Sequence, residues 1–231
     1  FLHGAGEVGC PTNNGVYNNE KQLWLGGGLF RDFVDQNKFD GFLVYPQLVN
    51  KDGCWGAWGE TTAANFNAVI GMVDSMVKYV RADIDRLLVN GLSGGGYGAW
   101  RMADGYPQRV AKIIPSASAG STTGRNNYVH IPIWFATGGK DPDPSPAQAA
   151  YTLSRLQEIG ADVRYTQYPD LGHSVWYAHW REPDYPAATN NVHKANPLVF
   201  FQRNEFCANE TINARLGITA GFYAYEWQKD G

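Results

Sequence analysis

Neither sign of charge dominates this 231-residue chain: 19 Lys and Arg stand against 22 Asp and Glu, a formal charge of −3. No basic excess is there to hold a phosphate backbone, which argues against a nucleic-acid partner. No apolar run approaches the roughly 20 residues of a membrane-spanning helix, so no span is expected. Cysteine is scarce. Cys10, Cys54 and Cys207 form no CxxC pair and no spacing with histidine that suggests zinc. No metal or other cofactor is therefore expected. Cys10 and Cys54 lie in Gly- and Asn-rich stretches, and two readings stay open for them: a disulfide in an oxidising compartment, or two small unbonded thiols. There is also no initiator Met and no leader ahead of Phe1-Leu2-His3-Gly4, so an upstream stretch is expected to have been removed.

What is present suits one folded domain, alone or with a fragment of another. Hydrophobic residues make up 44% and charged residues 18%, enough apolar material for a core. The 27 Gly imply many tight turns or close backbone approaches. Short apolar runs alternate with longer amphipathic ones. Phe1 to His3 reads as the end of a strand. Residues 41–46 and 86–90 read as buried strands, and 110–115, 131–136 and 163–168 as strands. Phe66, Val69, Ile70, Val73, Met76, Val77 and Val80 recur at spacings of three and four, one face of a helix. Further helices are expected over 29–36, after Gly96 to about Tyr106, over 146–159, and over 174–181 and 197–203. Strand alternating with helix indicates an α/β protein with a mostly parallel sheet. Ligands of such sheets sit at the carboxyl ends of the strands.

Gly91-Leu92-Ser93-Gly94-Gly95 follows a buried apolar run and precedes a helical one. G-x-S-x-G in that setting is a nucleophile elbow, which exposes the Ser93 hydroxyl at a helix start. No Lys follows the glycines, so a Walker loop is excluded. A serine needs a base. Of five histidines, His173 lies just past a predicted strand, in Asp170-Leu171-Gly172-His173. His179 and His193 read as surface residues, His130 as structural and His3 as loop-shaping. The base needs an acid to orient it. Asp141, after the strand ending at Ala136, is preferred to Asp143; Asp170 is too near His173 in the same loop. Acyl transfer also needs oxyanion donors, and the amides of Ala5 and Gly94 are the candidates. Trp55, Trp58 and Trp176 are expected to line the substrate pocket, since indole faces pack on sugars and aromatic acids.

With these pieces in order, the chain resembles the α/β-hydrolases. Within them it is similar to the esterase group of feruloyl esterases, polyhydroxybutyrate depolymerase-like proteins and predicted peptidases. The resemblance rests on Phe1-Leu2-His3-Gly4-Ala5-Gly6-Glu7, the Gly91 to Gly98 elbow, and Gly172-His173 with Trp176. It covers residues 1–203, read as the catalytic domain. It implies the α/β-hydrolase fold: a mostly parallel twisted sheet with helices on both faces, here expected to lack N-terminal strands. Two departures stand out. Gly94 occupies a position often held by Met, and the acid loop reads Gly138-Gly139-Lys140-Asp141-Pro142-Asp143-Pro144. Residues 204–231, with Cys207 and Trp227, resemble the opening of an immunoglobulin-like module, with a hairpin packed on the hydrolase as the alternative. Such modules accompany secreted enzymes, so a secreted or cell-surface protein is expected.

The implied activity is serine-dependent hydrolysis of carboxylic esters, small or polysaccharide-linked, without a cofactor. A histidine base must be neutral, so activity should rise with pH through the ordinary imidazole range near ~6.5. Two alternatives stand beside this: peptide hydrolysis by the same residues, and a silent carbohydrate-binding or adhesion domain on a hydrolase scaffold.

Overall fold

The computed structural model describes residues 1–12, 20, 23–50, 52–120 and 129–192, and the backbone of 200–201 and 216–217. The expectations for His193, Cys207 and Trp227 lie outside the described residues, as does the segment 204–231 apart from the backbone of 216–217.

In chain order the main elements are α1 (Gly28–Asp35), α2 (Ala63–Val80), β1 (Leu88–Leu92), α3 (Gly94–Gly105), β2 (Lys112–Ser116) and β3 (Ile133–Gly138). They continue with α4 (Pro146–Glu158), β4 (Val163–Tyr168), α5 (Trp176–His179) and α6 (Tyr185–Asn190). The strands form one parallel sheet in the order β1-β2-β3-β4. Leu2 extends it beyond β1. Its amide donates to the Asn90 carbonyl at 2.7 Å and its carbonyl accepts from the Leu92 amide at 3.4 Å.

β1, β2 and β3 are buried along nearly their whole length because both faces of the sheet are covered, whereas β4, at the edge, alternates half-buried and exposed residues. Successive side chains point to opposite faces. Val89, Ile113, Ile133 and Phe135 pack with Phe66, Val69 and Ile70 of α2, Trp100 and Met102 of α3, and Leu156 of α4. Leu92, Ile114 and Trp134 enter a second core with Phe1, Phe30 and Phe33 of α1, Trp180 and Tyr185 of α6. Local signals set the helix ends. Ser145 and Gln148 form a reciprocal capping box at the start of α4, with Pro146 in the first turn.

Three expectations fail. Residues 41–46 are not a strand. Phe42 is exposed, and Val44 contributes a carbonyl to the Phe1 amine at 2.8 Å. The run lies at the outer margin of the sheet, where apolar composition does not bring pairing. The stretch 174–181 holds only the four-residue α5. Phe200–Phe201 pairs antiparallel with Leu216–Gly217 and is not helical, in keeping with the β preference of aromatic residues.

An apolar cleft of about 340 Å³ opens beside the first half of β1, lined by Leu88, Val89, Gly41 to Val44, Phe30 and Val73. Ser93, Asp141 and His173 are absent from its walls, so it is separate from the site below. Among the described residues no helix is long and apolar enough to cross a membrane.

Candidate active site

The site forms where β1, β3 and β4 end. Ser93 stands between β1 and α3 with φ 52° and ψ −120°, a conformation that a non-glycine residue adopts only under strain. Two contacts hold it there: its amide donates to the Ser116 carbonyl at 2.9 Å, and its carbonyl accepts from the Tyr97 amide at 3.0 Å. Glycine is required on both sides of the turn. A Cβ on Gly91 would strike the Gly95 carbonyl, and one on Gly95 would strike that of Leu2. Strand, helix and the Leu2 segment can approach only because these side chains are missing.

β3 delivers Asp141 and β4 delivers His173. Gly138 lets their two loops touch, since a Cβ there would overlap the carbonyls of Leu171 and Gly172. The Gly139 amide donates to the Tyr168 carbonyl at 2.8 Å, and the Lys140 amide to that of Leu171 at 2.9 Å. The side chains then meet. His173 Nδ1 lies 2.8 Å from Asp141 Oδ2, and Nε2 lies 2.7 Å from Ser93 Oγ. A carboxylate only accepts, so Nδ1 carries the proton and Nε2 is left to accept from the serine hydroxyl. The Asp141 side chain is 1% exposed and that of His173 39% exposed. The acid is thus sealed behind the imidazole, and the imidazole faces the approach.

Asp143 plays a different part. Its amide donates to Asp141 Oδ1 at 3.0 Å, and its carboxylate accepts from the Tyr97 hydroxyl at 3.0 Å. Tyr97 was missed in the sequence, although it stands four residues after Ser93 on the elbow helix, a spacing that puts two residues on one face.

Ala5 opens a short 3-10 helix, Ala5–Glu7, and Gly94 opens α3. Amides at a helix start have no acceptor within the helix. The two openings adjoin: a Cβ on Gly94 would lie 3.2 Å from the Ala5 nitrogen. His3 holds this loop in place. Its Nδ1 donates to the Gly4 carbonyl at 2.7 Å, and its Nε2 accepts from the Leu48 amide at 2.9 Å. The second bond needs the neutral ring, and burial pushes its pKa down to about 4. Cys10 and Cys54 are joined by a disulfide, which ties this loop to residues 54–57. The Gly56 amide donates to the Ala5 carbonyl at 3.3 Å.

The tryptophans divide. Trp55 is 71% exposed, its carbonyl held by the Asn50 side-chain amide at 2.7 Å. Trp176 is half-buried and meets the His173 ring edge-on at 5.7 Å between centroids. Trp58 does not line a pocket. It is buried in the core against Phe66, over the gap that Gly98 leaves in α3. His179 is also misplaced by the sequence reading. It is fully buried, its Nδ1 2.8 Å from Ser116 Oγ, and burial lowers its pKa to about 3, with Arg164 adding to the effect. His130, read as structural, is buried and donates from Nε2 to the Pro107 carbonyl at 2.9 Å. Among the described residues no cluster of His, Cys, Asp and Glu could hold a metal ion.

No protein-family model matches the chain, and no curated protein does. Solved structures do. A thermostable esterase superposes with a TM-score of 0.62 at 24% identity, over 84% of this chain and 54% of its own. The chain therefore spans about half the length of that enzyme. A feruloyl esterase module from Clostridium thermocellum, complexed with sinapinate, gives 0.53 at 17% identity, covering 81% and 74%. An esterase from Pyrococcus furiosus gives 0.52 at 12% identity, covering 78% and 77%. At these identities the likeness is one of fold, and the fold is that of the α/β-hydrolases.

Proposed function

We propose that this protein is a serine esterase that hydrolyses carboxylic esters through an acyl-enzyme, with Ser93 as nucleophile, His173 as base and Asp141 as the acid that orients it. The observation that carries the reading is the unbroken hydrogen-bonded chain from Asp141 through His173 to Ser93. It is supported by the fold shared with several esterases.

In the first step Ser93 Oγ attacks the acyl carbonyl while its proton passes to His173 Nε2. Asp141 favours the imidazolium that forms. The carbonyl oxygen becomes an oxyanion between the amides of Ala5 and Gly94, two helix openings whose dipoles favour negative charge. His173 then returns the proton to the leaving alcohol. Water resolves the acyl-enzyme by the same route, again losing its proton to His173. None of these steps calls on a cofactor.

The substrate we propose is an ester linked to a carbohydrate. Trp55 supports this, because an indole face held out to solvent beside the Ala5 loop suits a sugar ring. The Cys10–Cys54 disulfide supports a secreted or cell-surface location, where such bonds persist.

The test is turnover of nitrophenyl acetate and labelling by a fluorophosphonate, wild type beside Ser93→Ala. Wild type should react with both, and the variant should lose on the order of 10⁴-fold or more in kcat. Wild-type protein inert to both reagents would sink the esterase reading in favour of a binding domain. Acetyl, feruloyl and longer acyl esters, with and without a sugar, and peptide controls then define the substrate.

A further inference from the structure

We infer that Tyr97 is a positioning residue for the acid of the triad: through Asp143 it holds the loop that presents Asp141 to His173. The inference rests on the roles proposed above for Ser93, His173 and Asp141.

Both oxygens of Asp141 are engaged. Oδ2 accepts from the imidazole at 2.8 Å, and Oδ1 accepts from the Asp143 amide at 3.0 Å. The second bond decides how the carboxylate is rotated, and hence whether Oδ2 lies in line with Nδ1. Its donor is a backbone amide in an exposed turn, with Pro142 and Asp143 both open to solvent. An amide so placed needs an anchor, and the Asp143 side chain supplies one by accepting from Tyr97 Oη at 3.0 Å. Tyr97 is itself fixed. Its amide bonds the Ser93 carbonyl at 3.0 Å within α3, and its Cβ fits the space left by Gly59.

The contacts close a ring. From Ser93 one helical turn leads to Tyr97, then to Asp143, to Asp141, to His173 and back to the serine hydroxyl. The acid is therefore referenced to the nucleophile's own helix as well as to β3. Burial, with the Asp143 carboxylate adding to it, raises the Tyr97 pKa, so the phenol stays protonated and remains a donor at any working pH.

Tyr97→Phe removes the hydroxyl and keeps the ring. It should lower kcat about tenfold with KM changed less than twofold, and slow fluorophosphonate labelling by a similar factor. The acid limb of the kcat/KM profile should move to lower pH, because a misaligned carboxylate stabilises the imidazolium less. By proton NMR, the downfield resonance of His173 Nδ1–H should shift and exchange faster with water. Asp143→Ala should reproduce these effects. Asp143→Asn, which keeps an acceptor oxygen for the phenol, should restore at least half of the wild-type rate. The double variant Tyr97→Phe with Asp143→Ala should be no worse than either single one. Unchanged kinetics and an unchanged resonance in Tyr97→Phe, or additive losses in the double variant, would overturn the inference. Asp143 is exposed, so its variants test the tie even if Tyr97→Phe folds poorly. If wild-type protein turns over no ester, the esterase reading fails alone, and the Nδ1–H resonance across the same variants still tests the tie.

Discussion

On one side of Ser93 the loops of Asp141 and His173 are held by backbone contact across Gly138 and by side-chain hydrogen bonds, with the acid sealed from solvent. On the other side the Ala5 loop is held by a neutral buried histidine and a disulfide, and it borders the exposed Trp55. In the proposed mechanism the acid–base side moves a proton, which demands alignment to a fraction of an ångström. The proposed oxyanion side would offer two backbone donors, for which the path of the chain matters more than any side chain. So the first side depends on atoms that are absent, and the second on a cross-link and a protonation state.

Short of removing the nucleophile itself, the largest effect should come from adding one methyl group to the acid–base side. Gly138→Ala forces the Asp141 and His173 loops apart, and a shift of about 1 Å typically costs on the order of 10²-fold in rate. We expect a loss of that size or more in kcat/KM by steady-state kinetics, with the fold kept as judged by circular dichroism. An unaltered rate would mean that the loops do not need this approach. On the oxyanion side, Cys10→Ala with Cys54→Ala should cost roughly 2–4 kcal/mol of stability in urea unfolding, given the 44-residue separation. Retention of full stability would show that hydrogen bonds alone hold the loop.

Acid should act next. His3 and His179 are held neutral in the folded protein, with pKa values lowered to about 4 and about 3 from an ordinary 6.5. Above pH 6.5 both are neutral whether the chain is folded or not, and stability is full. As pH falls from 6.5 towards 4 the unfolded chain takes up protons that the folded one refuses, and stability falls. His3→Gln should flatten part of this slope in denaturant titrations between pH 7 and 4.5, by roughly 1–3 kcal/mol. The smallest change in stability is expected for Trp55→Ala, within about 0.5 kcal/mol. Its signature should instead be a several-fold higher KM for a sugar-linked ester, with nitrophenyl acetate unaffected.

That Ser93, His173 and Asp141 would meet was legible in the sequence because each stands in the loop after a predicted strand, and a parallel sheet gathers those ends. The mostly parallel sheet was legible from the alternation of strand with helix. Aromatic residues were harder to place, since a tryptophan in a glycine-rich stretch carries no periodicity to say which way it points. Trp55 and Trp58 are three residues apart, and one is open to water while the other is core. His179 sits in a helix of four residues, too short for a pattern to reveal its buried face. Tyr97 could have been found from its spacing to Ser93, but its partner depends on a turn whose path no local rule dictates. The disulfide needed coordinates as well, since spacing cannot bring two Cα atoms within reach.

The bond between Cys10 and Cys54 makes residues 11–53, α1 among them, a closed circuit of chain. A single proteolytic cut within that circuit leaves both pieces in one molecule, of intact mass on a non-reducing gel. The Ala5 loop would still be stapled to its neighbour after such a cut. Clipped protein can then outlast its own backbone for as long as no reductant reaches the sulfurs.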